Sequence, residues 1–217
     1  MDLEKARFNM IEQQIRPWDV LDQEILDLLA VVKREQFVPQ GYAALAFVDM
    51  EIPLPGGQNM LAPRVEARIL QELAVRKHEQ VLEIGAGSGY MAALLAHRAR
   101  HVLTVDILPE LAALARKNLA DAGVTNVDVA EGNAAAGWAA GAPYDVICIS
   151  GALPSVPASI LSQVKVGGRI AAFVGTQPAM EAQIITRVSE TEYKTINLFE
   201  TVVAPLTGAE QPSRFHF

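Results

Sequence analysis

The stretch from Val81 to Ala96, VLEIGAGSGYMAALLA, constrains the fold of this chain more than any other. Four residues typical of a buried strand run directly into Gly85, Gly87 and Gly89, and an apolar segment rich in Ala and Leu follows. Glycines permit positive φ and let backbone N–H groups approach a ligand closely. The pattern therefore predicts a strand, a tight turn and a helix N-terminus, the opening unit of a doubly wound α/β sheet.

The spacing of the glycines indicates which ligand such a turn would bind. A dinucleotide-binding turn has the spacing GxGxxG, whereas here the third glycine comes one residue early and Glu83 precedes the first by two. A carboxylate so close suits a phosphate poorly but suits the cationic amino group of S-adenosylmethionine. The next predicted strand ends in Asp106, which can accept both ribose hydroxyls of an adenosine ligand. The alternative is a structural turn without a ligand.

Composition narrows the class of protein. The 217 residues can bury one large core, and a net charge of −7 argues against a surface that tracks nucleic-acid phosphates. Cys148, the single cysteine, lies in an apolar strand pattern and is expected in the core. The N-terminal residues lack an apolar signal core, and no apolar run is long enough to span a membrane. We therefore expect a cytoplasmic protein without a membrane or nucleic-acid partner.

The order of the predicted elements gives one domain with three segments, 1–78, 79–175 and 176–217. Helices are predicted over residues 3–16, 22–33, 64–77 and 111–120, with a shorter one near 159–164. Residues 40–62 lack periodicity and are expected to form a long functional loop. Strands are predicted at 81–84, 101–106, 124–132, 144–150 and 169–175, and two long strands, 180–190 and 193–206, should form an antiparallel hairpin.

Several motifs in register resemble the protein-L-isoaspartate O-methyltransferase family. They are MIEQQIRP (Met10 to Pro17), KREQFVP (Lys33 to Pro39), LPGGQ (Leu54 to Gln58), LEIGAGSGY (Leu82 to Tyr90), VGGR (Val166 to Arg169) and VVAPLTG (Val202 to Gly208). The resemblance implies a Rossmann-like methyltransferase sheet with N-terminal helices and a C-terminal antiparallel hairpin. It implies S-adenosyl-L-methionine as cofactor and the free α-carboxylate of isoaspartyl residues in damaged proteins as acceptor. The resulting ester collapses to a succinimide.

The resemblance also assigns site residues. The expected cofactor-binding residues are Glu83, Gly85, Ala86, Gly87, Gly89, Asp106, Ile107, Gly132 and Asn133. The expected acceptor side is the loop with Asn59 as the catalytic residue and Gln58, Met60 and Leu61 lining the substrate pocket.

The sequence departs from the family pattern in two places. The loop after the glutamine resembles Gln-Thr-Ile-Ser-x-Pro in the family, but here Asn59 and Leu61 stand where hydroxyl residues are usual. Asn133 replaces an Asp that contacts the adenine amino group, and its side-chain oxygen can still accept a hydrogen bond. The first departure leaves the identity of the methyl acceptor undecided. The second leaves the prediction of the cofactor unchanged.

The reaction that the resemblance implies needs little acid–base chemistry. A carboxylate acceptor, with a reference pKa near ~4, is already ionised at neutral pH, so proximity and orientation suffice. This agrees with the scattered histidines (His78, His97, His101 and His216), which predict neither a base nor a metal site. The acids on the helices, Glu66, Glu72 and Glu110, are expected on solvated faces, and Trp18 is expected to pack rather than line a pocket.

Three alternatives remain open at this point. A methyltransferase of the same fold could act on another carboxylate or small molecule, which the loss of a hydroxyl at Leu61 permits. A catalytically silent module could bind S-adenosylmethionine and work through a protein partner. An NAD-dependent oxidoreductase is the most distant alternative because the glycine spacing disfavours it.

Overall fold

The computed structural model describes residues 2–210 and centres on a seven-stranded sheet. His216 lies outside the described residues. The helices are α1 (Leu3–Met10), α2 (Gln23–Val31), α3 (Pro63–Leu73), α4 (Tyr90–Arg98), α5 (Pro109–Asp121) and α6 (Ala158–Leu161). The strands are β1 (Ile52–Pro53), β2 (Asn59–Met60), β3 (Gln80–Ile84), β4 (His101–Asp106), β5 (Val127–Glu131), β6 (Tyr144–Leu153), β7 (Val164–Thr176), β8 (Ala179–Arg187) and β9 (Tyr193–Thr201).

The main sheet has the order β5-β4-β3-β6-β7-β8-β9. The first five of these strands are parallel, and β8 and β9 join antiparallel as a hairpin. Ile84, at the end of β3, is level with Val105 of β4 and Ile149 of β6, so the carboxyl ends of the three strands meet. The strand order reverses at β3, and a crevice opens at such a point. The predicted doubly wound sheet with its C-terminal hairpin is confirmed.

The two faces of β3 are covered by different layers. Val81 points into a core shared with α1 to α4, whereas Leu82 and Ile84 point into a second core with residues near α6. Because side chains alternate along a strand, Glu83 falls on the same face as Val81, beneath the N-terminal helices. A charged residue is therefore directed into the more helical of the two cores.

The helices end close to the predicted boundaries, with local exceptions. α1 gives way at Ile11–Ile15 to a wider π-helical turn and then to a short 3₁₀ turn at Arg16–Trp18. α2 ends two residues earlier than predicted, because Val32 is extended. α3 ends at Leu73, four residues early, because Ala74 adopts a left-handed conformation with φ of 43°. Within residues 2–210 we find no helix with both the length and the apolar character to cross a membrane.

The prediction that residues 40–62 form a long ordered loop without helices or strands was wrong in part. Gln40–Leu45 forms a 3₁₀ helix, and β1 and β2 form a small antiparallel pair in which Ile52 faces Met60. Elements this short leave too few residues for a periodic pattern to appear in the sequence. The pair turns the segment back on itself and returns Gln58 to Leu61 to the body of the protein.

The last strand of the hairpin ends earlier than predicted. β9 stops at Thr201, and residues 204–206 lie parallel to the end of β6 instead. Ala152 N–H donates to Ala204 O (2.9 Å), and Leu206 N–H donates to Ala152 O (2.8 Å). This pairing brings Leu206 and Thr207 to the carboxyl edge of the sheet, next to the crevice.

Candidate active site

A cleft of about 830 Å³, including its open mouth, lies at the carboxyl ends of β3, β4 and β6. The glycine turn after β3 and the end of β4 form one wall, and the segment around β2 forms the opposite wall. The predicted residues that line it are Gln58, Asn59, Met60, Leu61, Glu83, Gly85, Ala86, Gly87, Asp106, Ile107 and Gly132. Both halves of the predicted site therefore face one space.

The glycine turn is held to β4 by two hydrogen bonds from its backbone N–H groups. Gly85 N–H donates to Val105 O (2.8 Å), and Gly87 N–H donates to Asp106 Oδ2 (2.9 Å). Both glycines have positive φ, 93° and 52°, which a residue with a side chain rarely adopts. The turn thus presents bare backbone to the cleft.

Gly89 has a different role from the one predicted. It does not line the cleft, and a Cβ at this position would lie 3.2 Å from the Ala115 backbone of α5. Gly89 is the N-cap of α4, and its absent side chain lets α4 and α5 approach closely. The third glycine of the motif therefore serves helix packing, and its assignment to the cofactor is corrected.

Asp106 is buried at the tip of β4, where both carboxylate oxygens accept backbone hydrogen bonds. Oδ2 accepts from Gly87 N–H (2.9 Å), and Oδ1 accepts from Leu108 N–H (3.0 Å). Each oxygen keeps a second acceptor position. The carboxylate can therefore hold the turn and bind hydroxyl groups at the same time.

Glu83 lies below the turn and is completely buried. Thr104 Oγ1 donates to its Oε2 (2.6 Å), and Ser150 Oγ donates to its Oε1 (3.1 Å). Burial raises the pKa of Glu83 to about 8, although both hydroxyl groups lower it. Glu83 has no cationic partner among residues 2–210, and a buried carboxyl of this kind at the floor of a cleft is suited to pairing with a cationic ligand group.

Asn133 is turned away from the cleft, unlike its neighbour Gly132. Its Oδ1 accepts from Ala135 N–H (2.9 Å), and its amide lies against Gly208, where an added Cβ would be 2.8 Å from Nδ2. Oδ1 keeps a second acceptor position, but the side chain is not among the groups that line the cleft. The structure does not bring Asn133 to the cleft as the sequence predicted.

The opposite wall carries the predicted acceptor residues. Gln58 Nε2 donates to Thr207 Oγ1 (3.2 Å), and Asn59 Nδ2 donates to Glu51 Oε2 (2.9 Å). Met60 and Leu61 are buried and line the cleft, and their side chains are apolar. The wall therefore offers amides and apolar surface but no hydroxyl from residues 59 or 61.

The chain matches known proteins along nearly its whole length. Residues 5–211 match the family described as Protein-L-isoaspartate(D-aspartate) O-methyltransferase. The chain belongs to this family. A Marinobacter nauticus protein-L-isoaspartate O-methyltransferase 2 is 39% identical over 96% of both chains, and a Rhodopseudomonas palustris relative with the same function in its name is 40% identical over 93% of both. The predicted family and the methyltransferase class are confirmed.

Solved structures support the fold. A Plasmodium falciparum protein described as a beta-aspartate methyltransferase, crystallised in complex with S-adenosyl-L-homocysteine, superposes with a TM-score of 0.79 at 14% identity. The match covers 93% of this chain and 98% of that one. A second structure, of a protein-L-isoaspartate O-methyltransferase, has a TM-score of 0.78 at 21% identity. At these identities the likeness concerns the fold.

Sequence reasoning missed a buried polar cluster beside the cleft of this family member. Arg34 is fully buried, pairs with Glu66, and donates to Ala46 O (3.1 Å) and Leu61 O (2.7 Å). Its guanidinium lies 5.2 Å from the centre of the Tyr90 ring. Tyr90 lines the cleft, and its buried hydroxyl has no partner among the described residues. Arg34 thus ties both ends of the segment 46–61 to the core.

The prediction that Glu66 lies on a solvated face was wrong. Glu66 is 3% exposed and lines the cleft, and burial raises its pKa to about 7, against the opposing effect of Arg34. The helical periodicity of α3 contains the signal, because Glu66, Ile69, Leu70 and Leu73 have the spacing i, i+3, i+4, i+7. A charged residue on the apolar face of a helix indicates a buried partner, here Arg34.

Trp18 and the histidines within residues 2–210 lie outside the cleft. Of the four histidines, the three within residues 2–210 do not line it, and His101 pairs with Asp128 on the neighbouring strand. Trp18 packs edge-on against Phe199, with 4.6 Å between ring centres, and Arg64 stacks on its ring. Trp18 therefore has the packing role that was predicted.

Proposed function

We propose that this cleft binds S-adenosyl-L-methionine against the glycine turn and methylates an isoaspartyl α-carboxylate held by the segment around β2. The observation that carries the proposal is the juxtaposition of Gly85, Gly87 and Asp106 with Gln58 and Asn59 across one cleft. S-adenosyl-L-methionine is the methyl donor of the family, and a protein or peptide is its acceptor. Damaged protein chains are therefore the substrate class.

The residues present fit this cofactor. The cleft is lined by Glu51, Glu66, Glu83 and Asp106, and none of its described lining residues is Lys, Arg or His. Such a site disfavours the pyrophosphate of a dinucleotide and favours a cation. We assign Asp106 to the ribose hydroxyls and Glu83 to the cofactor's amino group. Gly85, Ala86 and Gly87 provide the backbone surface between them.

Two apolar residues bound the remaining part of the cofactor site. Ile107 and Gly132 follow β4 and β5, and both line the cleft near Leu108 and Leu111. The flat ring of an adenine fits between apolar side chains of this kind. We therefore place the adenine on this side of Asp106.

The chemistry requires orientation rather than proton transfer. When bound, the cofactor supplies an electrophilic methyl group on a sulfonium. The acceptor carboxylate is ionised at neutral pH, so no residue of this chain needs to remove a proton. The task of Gln58 and Asn59 is to hold one carboxylate oxygen while the other faces the methyl group. The buried walls formed by Met60 and Leu61 exclude water from this point.

The same geometry allows a second acceptor class. Leu61 presents no hydrogen-bonding group, and Glu51 places a negative charge beside Asn59. Another carboxylate or a small molecule is the competing acceptor, because the side chain of Leu61 gives an isoaspartyl carboxylate no hydrogen bond. Three further points stay predictions. They are a cytoplasmic location, the absence of nucleic-acid, membrane and metal partners, and the action of segments 1–78, 79–175 and 176–217 as one unit.

Methyl transfer from labelled S-adenosyl-L-methionine to a panel of acceptors tests the proposal. The panel contains an isoaspartyl peptide, free aspartate and other small carboxylates at equal concentration. We expect base-labile label on the peptide and at most trace label on the small molecules. Preferential labelling of a small carboxylate would contradict the proposed acceptor, and cofactor binding without any transfer would favour a silent binding module.

A further inference from the structure

We propose that Glu51 determines acceptor specificity by selecting isoaspartyl residues whose neighbours carry a positive charge. The proposal rests on the proposed function and adds a determinant of which damaged sites are methylated. Its basis is the carboxylate of Glu51 at the acceptor wall, which pairs with an amide and with no cationic group of the described chain.

The position of Glu51 follows from the β1–β2 pair. Glu51 directly precedes Ile52, which faces Met60, and Pro53 faces Asn59. The pairing brings Glu51 next to Asn59, whose Nδ2 donates to Glu51 Oε2 (2.9 Å). Both residues line the cleft on the wall opposite the glycine turn. Glu51 is thus adjacent to the residue that we assign to the acceptor carboxylate.

Glu51 differs from the other acids of the cleft in its partners. Asp106 accepts two backbone N–H groups, Glu83 accepts two hydroxyl groups, and Glu66 pairs with Arg34. Among the described residues, the only side chain bonded to Glu51 is the neutral amide of Asn59, and Oε1 receives no hydrogen bond. Its charge therefore acts on whatever occupies the acceptor half of the cleft.

Partial burial strengthens that effect. Glu51 is partly exposed, and desolvation raises its pKa above the usual value, although the hydrogen bond from Asn59 lowers it. At a site of intermediate dielectric, two charges a few ångströms apart interact more strongly than in bulk water. A carboxylate acceptor is repelled by Glu51, and an ammonium or guanidinium on an adjacent residue offsets this repulsion. A neighbouring acid adds to it.

Three peptides that differ only beside the isoaspartyl residue test the assignment. Both flanking residues are Lys, Gln or Glu, and initial rates are measured at pH 8 with saturating S-adenosyl-L-methionine. We expect kcat/KM of the parent to fall by about tenfold from the Lys to the Glu peptide, mainly through KM. In Glu51→Gln the ratio of kcat/KM on the Lys peptide to kcat/KM on the Glu peptide should shrink to less than about threefold. The rate on the Glu peptide should rise.

A matched control separates a local effect from net charge. Glu192 is exposed in the turn between β8 and β9, at the edge of the sheet opposite the cleft. Glu192→Gln removes the same charge and should keep the parental preference. The preference of the parent should also weaken as salt is raised.

The outcomes are distinguishable. A parent with equal kcat/KM on the three peptides, or a Glu51→Gln variant with the full parental range, would overturn the role of Glu51. A parent that methylates none of them contradicts the proposed function instead. Because Glu51 is partly exposed, the variant is expected to fold, and a Tm within a few degrees of the parent verifies it.

Discussion

At the scale of single residues, Asp106 serves two tasks with one carboxylate. It holds the glycine turn through Gly87 N–H and Leu108 N–H, and we assign its remaining acceptor positions to the ribose. An alanine at this position removes the hydrogen bonds to the turn and those assigned to the ribose. The binding of S-adenosyl-L-homocysteine is therefore the property most sensitive to it.

We predict that Asp106→Ala weakens S-adenosyl-L-homocysteine by about 1.5–3 kcal/mol, or at least tenfold in Kd. Isothermal titration calorimetry of parent and variant measures the change. Asp128→Ala, an exposed change on β5, is the matched control and should leave Kd within about twofold. Unchanged affinity in a folded Asp106→Ala protein would remove Asp106 from the cofactor site.

Glu83 gives a pH-dependent signature of the same site. Its pKa is raised by burial from the usual 4.5 to about 8, so the folded, ligand-free protein holds this proton at pH 7 while the unfolded chain does not. Its contribution to stability therefore falls as pH rises from 4.5 towards 8. A cationic amino group beside it favours the ionised form, so ligand binding releases the proton.

We predict that S-adenosyl-L-homocysteine binding near pH 7 releases up to one proton. Calorimetry in buffers of different ionisation enthalpy measures it, and affinity should rise with pH up to about 8. Glu83→Gln should abolish the release. Equal release by parent and Glu83→Gln would show that another group loses the proton.

At the scale of elements, the segment 46–61 depends on Arg34, which binds the carbonyl groups at both of its ends. This side chain pairs with Glu66 of α3 and lies over Tyr90 of α4. Removing one partner of a buried pair leaves the other charge uncompensated, whereas replacing both with apolar residues avoids that cost. The two cases are separable experimentally.

We predict that Arg34→Met lowers the free energy of unfolding by about 3–5 kcal/mol, and that adding Glu66→Leu restores much of it. Urea unfolding measures both. The double variant should still have a raised KM for acceptor, because Ala46 O and Leu61 O have lost their donor. A fully stable single variant would mean that the pair contributes little.

The β2 segment itself carries the second element-scale prediction. Asn59→Thr with Leu61→Ser places hydroxyl groups where the cleft now has an amide and an apolar side chain. One more hydrogen bond to the acceptor is worth about 1–3 kcal/mol, so turnover of an isoaspartyl peptide should rise about fivefold or more.

The control for this change is stability, because Leu61 is buried and its loss costs packing energy. Rates are therefore compared at a temperature where both proteins are folded. A folded double variant without any gain over a low parental rate would favour an acceptor other than isoaspartate.

At the scale of the whole molecule, the α/β order was predictable and the loop geometry was not. Strands β3, β4 and β6 are rich in Val, Ile and Leu, and the glycine turn leaves few alternatives for their connection. The direction of Asn133 depends in part on its contact with Gly208, which is 75 positions away in the sequence (208 − 133), and a local pattern cannot encode that contact. The burial of Glu66 was encoded in the period of α3, but its partner Arg34 lies 32 positions away.

The measurement that tests the account most directly compares two peptides that differ only in one linkage, isoaspartyl or normal aspartyl. Both are incubated with the protein and labelled S-adenosyl-L-methionine, and base-labile methyl ester is counted over time. We predict ester on the isoaspartyl peptide alone, and a large loss of it in Asp106→Ala at subsaturating cofactor. Equal ester on both peptides, or none on the isoaspartyl peptide, would contradict the account.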